Sequence, residues 1–299
     1  MMVRDAQMPG RSGTHATEQA KIVADFQALH PWKSAADVVR LFDILHSYED
    51  VGLSPNRYGS SDVRTFDLTQ LDMATIEETW MRVGGGIIKG PRPWNMLISI
   101  LFIKKSRGIP ALSTFTVWLN QTYFKDPGRA TRFLDWCKDV YSWGKMDHGY
   151  VALEDEYSLK NDLGPGRSVG GANLKVALPG IYWANFFGPI YSKWFGDGKF
   201  ELIETHLKER LTDGGWLLVT RPSVLEYSNP ELRLHETGII HALGREAFFE
   251  MEDPLKPTKS PDFSASIYQF KELTTSPGAR SPCPGRKLHP AGDRVRRDL

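Results

Sequence analysis

The chain has 299 residues, 41% of them apolar and 24% charged, and its 37 basic side chains nearly cancel 36 acidic ones, leaving a formal net charge of +1. Such a composition belongs to a folded globular protein rather than a disordered or fibrous one, and the near-zero charge offers no general field to nucleic acid or an anionic membrane. Two cysteines, Cys137 and Cys283, are too few for a disulfide framework and read as free thiols of a reducing compartment.

Residues 1–20 mix Gly, Ser, Pro and charge without periodicity and are expected to be mobile. Met1 to Thr17 contains no apolar run, which argues against a secretory signal, and the longest apolar run, Met96 to Ile103, is too short to span a bilayer. We therefore expect a cytoplasmic protein. From Ser34, a candidate cap, Val38, Leu41, Phe42 and Leu45 recur at helical spacing. Val51 to Ser61 reads as turn-rich, and Leu71 to Val83 as a second helix ended by Gly84-Gly85-Gly86. Met96 to Lys104 and Thr114 to Leu119 read as an antiparallel hairpin, with Phe115, Val117 and Leu119 sharing one face.

Asp126 to Trp143 carries Phe133, Trp136, Cys137, Val140 and Tyr141 on one helical stripe, with Asp126 as cap, Pro127 in the first turn and Gly144 closing. Gly149 to Tyr157 reads as a third strand, and Asn161 to Asn173 as a Gly/Pro-rich loop or joint. Aromatic density peaks at Leu178 to Gly196. Ile181 to Phe187 has the pattern of a strand buried on both faces, and Pro189 to Phe195 that of a short helix stopped by Gly196. Glu201 to Leu211 fits strand or helix equally. Asp213-Gly214-Gly215 is a hairpin turn into a strand at Trp216 to Thr220. Asn229-Pro230 opens a helix through Leu243 that Gly244 ends, and Ala247 to Glu250 reads as a short return strand. From Pro254 the composition shifts to Pro, Lys, Ser and Thr, and Ser276 to Leu299 is basic with almost no large apolar group.

These elements sum to one α+β domain over residues 21–253, with a mainly antiparallel sheet, helices packed on one side and a candidate joint between two halves at 158–175. Residues 254–299 read as a flexible basic tail.

No stretch discloses a chemistry. Gly84 to Gly90 is glycine-rich, but no Lys-Ser/Thr pair follows, so a mobile turn is the stronger reading than a phosphate loop. His148 follows Asp147, yet neighbouring strand residues point to opposite faces and make poor co-ligands. His235 and His241 are six apart and fall on different helix faces, and no serine sits in a nucleophile elbow. The densest acidic patch is Glu154, Asp155, Glu156 with Tyr150 and Tyr157 beside it, which suits recognition of a basic partner surface. The central rings read as core, and Asn185 among them must tie backbone segments together or address a ligand.

The run Pro179-Gly180-Ile181-Tyr182-Trp183-Ala184-Asn185-Phe186-Phe187-Gly188-Pro189, with Tyr191 and Phe195-Gly196, resembles the signature of bacterial immunity proteins of polymorphic toxin systems, the Imm52-like group and its type VI secretion relatives. The Arg57-Tyr58-Gly59 turn, Arg64 and Phe66-Asp67 before a helix ending near Trp80, the early hairpin, the helix at 126–143 and the Gly149 to Asp155 strand end fit the same layout, over residues 35–250. The basic end after Ser276 departs from it. The resemblance implies an α+β protein without catalytic residues, metal or cofactor, which neutralises a cognate toxin protein by binding it. It carries over no functional residues. Tyr150, Glu154, Asp155, Glu156 and Tyr157 are therefore the partner-binding candidates from the residues themselves. The alternative is an enzyme or small-molecule-binding module with a pocket near the central aromatic segment.

Overall fold

The computed structural model describes residues 20–30, 32, 34–61, 64–67, 72, 74, 76, 84–101, 113–161 and 173–265. Ten strands form one sheet: β1 (Lys21–Ala28), β2 (Arg57–Ser61), β3 (Arg64–Asp67), β4 (Gly85–Lys89), β5 (Leu97–Leu101), β6 (Ser113–Asn120), β7 (His148–Leu153), β8 (Ala184–Phe187), β9 (Leu207–Arg210) and β10 (Trp216–Val219). Their order is β3-β2-β4-β5-β6-β1-β7-β8-β10-β9, and every neighbouring pair is antiparallel. The helices are α1 (Ala35–His46), α2 (Pro127–Gly144), α3 (Glu154–Asn161), α4 (Pro189–Phe195), α5 (Asp197–Leu202) and α6 (Pro230–Leu243). The fold is α+β, as expected.

Local signals place most of these elements. Ser34 and Asp37 form a reciprocal capping box on α1, each side chain accepting the other's backbone N–H at 3.2 Å. Asp126 accepts from Gly128 N–H at 2.8 Å, with Pro127 in the first turn of α2. That helix ends at a left-handed Lys145 rather than at Gly144, which is its last helical residue. Gly214, at φ 91°, makes the turn between β9 and β10.

Alternation along the strands sends two residue sets to opposite faces. Phe26, Phe115, Val117, Val151, Phe186 and Leu217 face one way and pack with Leu41 and Phe42 of α1 and Phe133 and Trp136 of α2. Phe187, Trp216 and Leu218 face the other way and pack with Tyr191, Phe195, Phe200 and Ile239 of α4, α5 and α6. Helices thus cover one face from α1 and α2 and, around β8 and β10, the second face as well, which corrects the expectation of helices on one side only.

Other expectations are corrected too. Residues 21–28, where the sequence shows no cap or turn signal, form β1 in the middle of the sheet, carried by Ile22, Ala24, Phe26 and Ala28 pointing into the core. Arg57–Ser61 and Gly85–Lys89 are strands rather than turns. The strand at 149–157 stops at Leu153, and α3 begins directly at Glu154. Residues 201–211 divide, with the end of α5 followed by β9. Ala247 to Glu250 contributes one parallel bridge, Leu178 to Phe248, in place of a strand. Pro254 onward follows the body as far as Phe263, which is buried against Tyr191 with ring centroids 5.8 Å apart. The expected mobile N-terminus, most of the helix at 71–83, the connection of the hairpin after residue 101, the loop at 162–172 and the tail beyond residue 265 lie outside the described residues. Among the described residues no helix is long and apolar enough to cross a membrane.

Candidate functional site

The ring-rich middle of the chain is packed shut. Tyr182, Trp183, Phe186, Phe187 and Tyr191 are each 1% exposed or less. Asn185 ties backbone together: its amide oxygen accepts the Tyr182 N–H at 2.9 Å, and its NH2 donates to Tyr182 O at 2.8 Å and Leu218 O at 3.4 Å. The polar group inside this aromatic run is satisfied internally, as a buried amide must be.

The five partner-binding candidates fall at one place, but not as an exposed strand edge. Tyr150 on β7 is buried at 3% exposure, stacked on Tyr157 at 5.4 Å and tilted against Tyr182 at 4.7 Å. Burial raises the Tyr150 and Tyr182 hydroxyls well above the usual tyrosine range and pushes Tyr157 up to about 12. Glu154, Asp155 and Glu156 form the first turn of α3, where carboxylates meet the positive end of the helix dipole. Asp155 is exposed and Glu154 half-buried, whereas Glu156 is 2% exposed. The expectation of an exposed carboxylate at Glu156 is therefore corrected, and Tyr150 is likewise interior.

Glu156 points inward because it belongs to a closed four-membered ion cluster. Its Oε1 accepts from Lys160 Nζ at 2.7 Å, one helical turn along α3, and its Oε2 from Arg221 Nη2 at 2.5 Å. Glu236 of α6 completes the ring, accepting from Lys160 at 2.8 Å and from Arg221 Nη1. Lys160 spends its third proton on Ile181 O at 2.7 Å and lies over the Tyr182 ring at 4.7 Å. All four carboxylate oxygens are engaged. Desolvation still holds the Glu236 carboxyl above its ordinary range, opposed by Lys160 and Arg221. Arg221 is 1% exposed, so the cluster pins α3, the end of β10 and α6 together at a large desolvation cost.

Above this cluster opens a cleft of about 520 Å³ between α3, the Pro179-Gly180-Ile181 segment, α6 and residues 245–252. Leu159, Ile240, Phe249 and Met251 supply its apolar wall, and Arg233, His241 and Arg245 its basic groups. A second cleft, of about 560 Å³, lies at the start of α2. There Arg129 stacks on Trp94 at 4.5 Å, and Arg132 covers Tyr48 at 4.7 Å and pairs with Asp50 at 3.3 Å.

Asp147 and His148 do not form a common site. Asp147 accepts the Leu29 N–H at 2.7 Å, and burial pushes its pKa up to about 6. His148 is fully buried among Tyr150, Phe187 and Tyr191, with no hydrogen-bond partner at either ring nitrogen among the described residues, and burial pushes its pKa down to about 3. Among the described residues no group of three or more His, Cys, Asp or Glu is placed to hold a metal ion. Lys160, Arg221 and Glu236 escaped notice in the sequence, although Glu236 sits on the stripe of Ile239, Ile240 and Leu243, where a charge signals a buried partner.

No family model matches the chain, and no curated protein does. Among solved structures the fold is similar to a chain named "Pseudomonas aeruginosa T6SS protein PA0821", with 15% sequence identity over 76% of this chain and 73% of that one, at a TM-score of 0.49.

Proposed function

We propose that the chain is a non-enzymatic, cytoplasmic immunity protein that binds and neutralises a cognate bacterial toxin. The observation that carries the reading is the closure of its middle: the rings that would wall an internal pocket are 1% exposed or less, and Glu156 and Glu236 have every oxygen bonded to Lys160 or Arg221. Charge and aromatic mass are spent on holding the fold, and action is left to the outer surface. The resemblance at Pro179 to Gly196 supports the same reading. In this mechanism a few apolar anchors supply affinity and exposed charge at the rim sets register and on-rate.

The test is co-expression with the polypeptide encoded beside it. Protection of the host and a complex that survives size exclusion are expected; a toxic neighbour that neither binds nor is neutralised would overturn the reading. Of the original patch, Glu154 and Asp155 remain on the surface. Alanine at both is expected to weaken the complex while leaving the melting temperature nearly unchanged, and equal affinity would remove them from the interface.

One observation favours a second reading. Glu236, a carboxylate held up in pKa by burial, lines a 520 Å³ cleft, and an acid catalyst needs that arrangement. Were the chain an enzyme, Glu236→Gln would abolish turnover even at temperatures where the variant, destabilised by loss of its buried ion pairs, is still fully folded.

A further inference from the structure

The charges around the α3–α6 cleft cancel in groups. Lys160 and Arg221 neutralise Glu156 and Glu236. Arg245 donates twice to Glu250, at 2.9 and 2.8 Å, Lys256 adds a third bond at 2.7 Å, and exposed Glu252 acts on Arg245. Arg233, exposed on the same wall, forms no ion pair among the described residues. It is the cation left over.

Two backbone donors are left over as well. In Pro179-Gly180-Ile181, on the facing wall, neither the Gly180 nor the Ile181 N–H finds an acceptor among the described residues, although both residues are buried. A buried amide without a partner costs free energy that a ligand oxygen would recover. Gly180 holds φ at 132°, a region that residues with a Cβ rarely enter, and without a side chain it leaves the backbone here open to close approach by a ligand. Beside them lie Leu159, 56% exposed, and half-buried Ile240, Phe249 and Met251.

We propose that this cleft grips a carboxylate set next to a large apolar side chain on the partner protein, an Asp or Glu neighbouring a Leu or Phe; this rests on the partner-binding reading above. A single unpaired arginine and two amides suit one negative charge. A phosphate dianion would leave its second charge unmatched, because Lys160, Arg245 and Lys256 are already paired with carboxylates. Apolar contact supplies area, and the carboxylate fixes register.

The test has two arms. In the first, the full 15N-labelled chain is titrated with N-acetyl-leucyl-aspartyl amide, its leucyl-asparaginyl counterpart and acetate. Saturable shifts of the Gly180 and Ile181 amide resonances are expected with the acidic dipeptide and not with the neutral one. Arg233→Gln is expected to weaken that titration roughly threefold or more, the modest effect of an exposed charge. Absence of those shifts, indifference to Arg233→Gln, or acetate binding as tightly as the dipeptide would each overturn the proposal. In the second arm, Arg233→Glu with a wild-type melting temperature is mixed with the neighbouring toxin. A complex as tight as wild type overturns the cleft as the contact while leaving the binding reading intact. If the wild type forms no complex, the binding reading fails, and the dipeptide titration alone decides whether the cleft takes a carboxylate.

Discussion

His148 is a polar ring in an apolar setting. Fully buried and bonded at neither nitrogen among the described residues, it is held neutral by the fold, whereas the unfolded chain takes up a proton below about pH 6.5. Its pKa is depressed on folding, so the stability it contributes is present above about 6.5 and is lost as pH falls toward 3. Asp147 works in the opposite sense. Its carboxyl is raised from 3.8 to about 6, so acidification through that window favours the fold, and the buried carboxyls of Asp25 and Glu236, also raised, act likewise. The net profile therefore mixes signs, but the His148 contribution can be isolated. His148→Phe, matched to its aromatic neighbours, is expected to raise the melting temperature and to raise it more at pH 5 than at pH 8. An equal gap at both pH values would mean that the imidazole is not held neutral. At this scale the sequence was half legible. His148 and Asp147 stood out as neighbours, yet only long-range packing reveals that one bonds Leu29 and the other bonds nothing. Glu156 looked like one of three equivalent surface acids because its partner Arg221 is 65 positions away.

Helices with their own punctuation were readable: α1 from its Ser34 cap, α2 from Asp126-Pro127, and α6 from Asn229-Pro230 and Gly244. The β7–α3 junction was not, because no glycine or proline separates Leu153 from Glu154. The signal lay in the acidic trio itself, which belongs at a helix N-terminus rather than at a strand end. Misplacing that boundary hid the Glu156–Lys160 pair, one turn apart on α3. The cluster they share with Arg221 and Glu236 is the main polar tie between α3 and α6. Removing one member strands the rest in low dielectric, so Glu156→Ala is expected to cost about 3–5 kcal/mol in chemical denaturation. Asp155→Ala next door should stay within about 0.5 kcal/mol. Arg221→Ala combined with Glu156→Ala should cost less than the two singles together, since the pair then leaves no orphaned partner to each other. Strict additivity in that cycle would show the contact to be incidental.

Across the whole molecule, strands drawn from residues 57–120 lie on one side of β1 and those from 148–219 on the other. Among the described strands only β1 pairs with both: Lys21 to Ala28 pair with Asn120 to Ser113 along one edge, and Ile22 to Gln27 with Leu153 to His148 along the other. An eight-residue strand near the start of the chain therefore closes a sheet whose adjoining strands are about 90 and 125 positions away. Pairings so distant in sequence must overcome loop-closure entropy before they are rewarded, so β1 is expected to join late and to unfold only with the whole. Its local sequence understates this role, since Asp25 and Gln27 interrupt the apolar run on the face where they bond each other and Thr116. Two measurements check the inference. Native-state hydrogen exchange should give β1 amides the same opening free energy as those of β6 and β7, at the global limit. Phe26→Ala, which empties the space where that ring meets Phe186 at 5.2 Å, should lower stability by about 3–5 kcal/mol and lower the protection of β6 and β7 equally. If β1 instead opens well below the global limit while β6 and β7 stay protected, the two sides of the sheet are held by their helices, and the central strand is an addition to a fold that stands without it.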